Sequence, residues 1–73
     1  VNNKIESQTI KSLVKNDNLI TLKIESDSIN YMSTYNLFIK NEIMPIEFIH
    51  ESTGIKGLFN SSDLNKINNL INI

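Results

Sequence analysis

His50 is the one histidine of this chain, and it sits between Glu47 and Glu51, so the first chemistry to consider is acid–base or metal work. An imidazole within a helical turn of two carboxylates can relay a proton or hold a cation weakly. Nothing else in the sequence extends that set. There is no cysteine, which excludes disulfides, thiolate metal sites and cysteine nucleophiles together, and a zinc cage would need several carboxylates converging on a single imidazole. Eight serines share the one histidine, and two glycines leave neither a Gly-x-Ser-x-Gly elbow nor a phosphate-cradling loop. Glu47 and Glu51, four apart, read as the wet face of an amphipathic helix, with His50 as their exposed salt-bridge partner. The expectation is a protein without catalytic residues, cofactor, metal or small-molecule substrate.

Two further sets of side chains could make contacts. Thr21 and Lys23 lie on the outward face of a period-2 run in which Ile20, Leu22 and Ile24 face inward, as on a half-buried strand over Leu19–Glu25. Tyr31 and Tyr35 share a stripe of helical period with Met32, Phe38 and Ile39, where paired aromatics serve a core or a dimer interface more naturally than base stacking.

The elements that position these residues follow from spacing and punctuation. Ile5, Thr9, Ile10, Leu13 and Val14 predict a helix over 4–15, stopped by the turn formers Asn16, Asp17 and Asn18. The strand comes next, and Ser26, Asp27 and Ser28 offer cap oxygens for a helix over 28–42. Pro45 disfavours helix at Met44 and suits the first turn of a new one, which Ile46, Phe48 and Ile49 continue to a stop at Gly54. The same letters over 46–50 also fit a strand; proline at the start and glycine past the end agree on helix. A last helix over 61–72 carries Leu64, Ile67, Leu70 and Ile71, capped by Ser61 or Ser62. The expected fold is therefore α+β and mostly helical: one N-terminal helix, a short strand, then two to three helices. Its predicted core is Leu13, Ile20, Leu22, Ile24, Tyr35, Phe38, Ile39, Ile49, Leu64 and Ile67.

Seventy-three residues allow one small domain over 1–73, and a chain of this size buries only about 60% of its unfolded surface, so self-association or a partner is expected. Apolar residues make up 40% of the chain, enough for a core. Twelve asparagines and thirteen isoleucines point to an AT-rich coding source. Seven lysines, no arginine and a net charge of -1 weaken the case for strong nonspecific phosphate binding and remove the best bidentate reader of guanine. No run approaches the roughly 18 apolar residues of a membrane span. The first residues lack the apolar region of a secretory signal, so no membrane is expected and the compartment reads as cytoplasmic. A chain opening at Val1 reads as a processed end or a fragment.

The order strand, helix, turn, helix over about 19–54 resembles the ribbon-helix-helix repressors, in which two chains pair their strands into a ribbon that enters the major groove. The matching residues are Leu19–Glu25 for the ribbon, 28–42 for the first helix and 44–49 for the start of the second. The turn over 41–44 lacks the family's usual glycine, and Glu25 puts an acid among phosphates. That resemblance implies a dimer in which Thr21 and Lys23 read base edges while the amide groups at the start of the helix that opens with Pro45 and Ile46 hold a phosphate through the helix dipole. The segment 51–55, Glu-Ser-Thr-Gly-Ile, also looks like the turn of a helix-turn-helix.

Two functions are consistent with the sequence. One is a small protein-interaction module, such as an inhibitor, an antitoxin-like partner or an assembly subunit, docking another protein through an apolar face. The other is a dimeric DNA-binding transcriptional regulator of ribbon-helix-helix type. A cluster of Lys23 with Lys40 or Lys56 beside the strand would favour nucleic acid, and even dispersal a protein.

Overall fold

In the computed structural model, which describes residues 4–72, the chain is mostly antiparallel sheet, and this overturns the mostly helical expectation. The order is β1 (Ile5–Glu6), β2 (Ile10–Asn16), β3 (Leu19–Glu25), α1 (Tyr31–Lys40), β4 (Glu47–Glu51), β5 (Gly54–Asn60), α2 (Leu64–Leu70) and β6 (Ile71–Asn72). Strands β2, β3, β5 and β4 form one antiparallel sheet in that spatial order, and β1 pairs with β6 as a two-stranded parallel ladder. No described helix is long and apolar enough to cross a membrane.

The helix expected over 4–15 is replaced by β1, a single 3-10 turn and β2. The reason is a β-bulge between Ile10 and Ser12: Ile10 pairs with Ile24, but after the irregularity Leu13 pairs with Leu22. One extra residue shifts the side-chain phase, so two inward residues fall three apart and imitate a helical step. The turn formers 16–18 join β2 to β3, with Asp17 at a φ of 56°, a conformation that aspartate tolerates better than most side chains.

The helix expected from Pro45 is β4. Phe48 pairs with Gly57 and turns toward the helices, whereas Ile49 pairs with Lys56 and is 45% exposed on the other face. Ile49 therefore leaves the expected core, since strand alternation cannot bury both neighbours. The segment 51–55 is the hairpin turn between β4 and β5 and not the turn of a helix-turn-helix.

Helix α1 is the expected 28–42 helix trimmed at both ends. The Asn30 side chain caps it by accepting from the Ser33 amide at 2.8 Å. Its C-terminus closes with the Ile43 amide on the Phe38 carbonyl and the Glu42 amide on the Ile39 carbonyl, both 2.9 Å. These are the two bonds of a Schellman motif, with Glu42 at a φ of 62° in the position glycine usually takes. The motif turns the chain so that Ile43 becomes fully buried beside Phe38.

Both helices cover one face of the sheet. Ile20, Leu22 and Ile24 of β3 and Phe59 of β5 meet Phe38, Ile43, Ile67 and Leu70, with Ile5 closing the end. Of the expected core, Leu13 and Leu64 pack at its margin, and Tyr35 and Ile39 are half-buried. Among the described residues no helix lies over the opposite face of the sheet.

Candidate functional site

Strand β3 takes hydrogen-bonded partners on both sides, β2 and β5. It therefore has no free edge for a second chain, and the ribbon-like dimer expected through Leu19–Glu25 is replaced by a central strand of a single sheet. The reason for expecting association through that strand, an unpaired edge, goes with it.

The four residues expected to contact a ligand separate onto two surfaces. Thr21 and Lys23 lie on the open face of the sheet, where the registers arrange them in rows across the strands. Ser12, Lys23, Lys56 and Ile49 form one row, and Val14, Thr21, Leu58 and Glu47 form the next. Leu19 and Asn60 pair beside them. Val14, Leu19 and Ile49 are 55, 40 and 45% exposed, and Leu58 is half-buried, so the face presents apolar side chains around two lysines. At one end Lys11 and Glu25 form an ion pair at 3.6 Å, and the Thr53 hydroxyl donates to the same carboxylate at 3.1 Å. That pair is half-exposed and contributes little to stability.

Pro45 and Ile46 lie at the other surface, a shallow groove of about 360 Å³ between α1 and the β4 edge, lined with Tyr31, Met32, Tyr35 and Phe48. No helix begins there. The Ile46 amide is spent on the Leu58 carbonyl at 2.7 Å, so the phosphate-binding amides that a helix start would offer are not formed. Met32, Met44 and Ile46 are 57, 65 and 49% exposed around this groove.

The aromatic residues concentrate on this side. Phe48 meets Tyr31 at a tilt and Tyr35 and Phe38 edge-on, with ring centroids 5.2 to 5.6 Å apart, and Phe38 reaches Phe59 at 4.9 Å. The Tyr31 hydroxyl donates to the Phe48 carbonyl on the edge strand. Removing that donor with Tyr31→Phe should lower stability by about 1 kcal/mol while keeping the rings packed, as a urea titration would read. An unchanged midpoint would show that water replaces the hydroxyl without loss. His50 lies 5.7 Å from the Tyr31 ring, centroid to centroid, and is an edge residue of β4 rather than a member of an acid–base pair on a helix. Among the described residues no three His, Asp or Glu side chains converge on a common point.

Sequence reasoning found Thr21 and Lys23 and missed their neighbours. Lys56 and Leu58 belong to a strand over residues to which the sequence reading assigned no element, and Val14 to one read as helix; the alternation Gly54, Lys56, Leu58 and Asn60 against Ile55, Gly57 and Phe59 was the available signal. Comparison with known proteins adds no family to this picture: no family model, no curated protein and no solved structure matches the chain.

Proposed function

We propose that this chain is a small protein-interaction module of the cytoplasm, an inhibitor, antitoxin-like partner or assembly subunit, that docks another protein on the open face of its sheet. The observation that supports this is the bare apolar surface of Val14, Leu19, Ile49 and Leu58 on a sheet whose other face is fully furnished with two helices.

DNA regulation is the second reading, and the pairing of Lys23 with Lys56 across β3 and β5 favours it. Three features weigh against it. Glu25, Glu47 and Glu51 occupy the same face, the chain has no arginine, and all five aromatic residues belong to the helix side, which leaves the open face without a ring on which a base could stack.

Selection of 12-residue random peptides on the full chain, followed by amide-shift mapping of the winners, tests the proposal. The expected footprint covers β2, β3 and β5. The double variant Val14→Asp, Ile49→Asp, both sites being exposed, should weaken binding about tenfold or more with the fold intact. A footprint confined to the α1–β4 groove, or tight binding of mixed DNA duplex in place of peptides, would overturn it.

A further inference from the structure

We propose that the partner on the open sheet face presents a carboxylate, from Asp or Glu, set among apolar side chains and seated between Lys23 and Lys56. The inference rests on the docking reading above and names the chemistry of its partner.

Lys23 and Lys56 stand directly opposite each other on β3 and β5. Bonds at the two ends of that ladder fix its phase: the Ser26 amide donates to the Thr53 carbonyl at 3.0 Å, and the Ser61 amide to the Asn18 carbonyl at 2.8 Å. Counting inward from either end makes Lys23 and Lys56 a non-hydrogen-bonded pair, the kind that brings opposite side chains closest. Both are half-buried. Like charges at such positions repel. Among the described residues neither lysine has an ion-pair partner: Glu25 is held by Lys11 and Thr53, and Glu47 and Glu51, which flank Ile49 opposite Lys56, make no ion pair with it.

The free chain thus carries two facing ammonium groups with no described carboxylate in ion-pair contact, set between the apolar side chains of Val14, Leu19, Leu58 and Ile49 and flanked at a diagonal step by Glu25, Glu47 and Glu51. A purely apolar partner would cover two charges and strip their water without return, at considerable cost. A carboxylate between them relieves the repulsion and satisfies both ammonium groups, while apolar neighbours meet Val14, Leu19, Leu58 and Ile49.

Two measurements decide it. In the free chain, Lys56→Gln removes the repulsion without setting a new acid beside Glu47 and Glu51, and should raise the melting temperature by about 1–5 °C; no rise would show that the pair does not repel and would overturn the proposal. In the peptide selection, winners that footprint on the open face should carry Asp or Glu flanked by apolar residues. A synthetic winner should lose affinity about tenfold or more when its acid is changed to the amide, and equally against the Lys23→Met, Lys56→Met double variant. Winners on this face without an acid would overturn the carboxylate proposal and leave the docking reading standing. Winners only elsewhere would remove both.

Discussion

Phe38→Ala should lower the unfolding free energy by about 3–5 kcal/mol, a large part of what holds a domain of this size together. Phe38 has no solvent exposure, and its ring meets Phe48 at 5.6 Å and Phe59 at 4.9 Å, so it is the contact through which α1 grips both β4 and β5. Truncation removes the apolar surface and leaves a ring-sized cavity between rigid strands that cannot close over it. It also strips the last turn of α1 of its side-chain anchor, because Phe38 and Ile43 share the core, while the backbone bond from the Ile43 amide to the carbonyl of residue 38 remains. Urea unfolding followed by circular dichroism measures the loss. A change below about 1 kcal/mol would mean that the helix can settle onto the sheet without the ring.

Gly54→Ala should be comparably damaging, by about 3 kcal/mol or more, although it adds only a methyl group. A Cβ on Gly54 would lie 1.9 Å from the Ile24 carbonyl oxygen, and that oxygen belongs to the backbone of the central strand, which cannot turn aside. Gly57 provides the contrast. A Cβ there meets the Phe59 ring at 2.6 Å and nears Phe48 at 3.5 Å, so Phe59 and Phe48 lie over a position with no side chain of its own. Gly57→Ala should cost about 1–3 kcal/mol, less than Gly54→Ala, since a ring can tilt where a carbonyl cannot. Thermal unfolding of the two variants side by side checks the order; the reverse order would show that the strand ends yield more easily than the core.

Strand β3 and helix α1 were legible because each keeps one period without interruption. Leu19–Glu25 alternates cleanly, and Tyr31, Tyr35 and Phe38 hold a helical stripe. The N-terminal strand was hidden by its bulge, which turns a period of two into a step of three at Ile10 and Leu13. Strand β4 was hidden by punctuation: Pro45 and Gly54 bracket it as they would a helix, yet Gly54 is there for want of space beside Ile24 and not to end a helix. Thr21 and Lys23 could be found because the outward face of a regular strand can be read locally. Lys56 could not be joined to Lys23, since that pairing depends on a register spanning the whole of α1 and β4.

The parallel pair of β1 and β6, which sets Ile5 beside Ile71, bears on the order of assembly. The β2–β3 and β4–β5 hairpins close over two-residue turns and need little chain entropy to form, while β1 and β6 must wait for almost the entire sequence to be gathered. Contacts made that late should be absent from the folding transition state, so that weakening them speeds opening of the native molecule and leaves its formation rate unchanged, as expected of a latch and not of a nucleus.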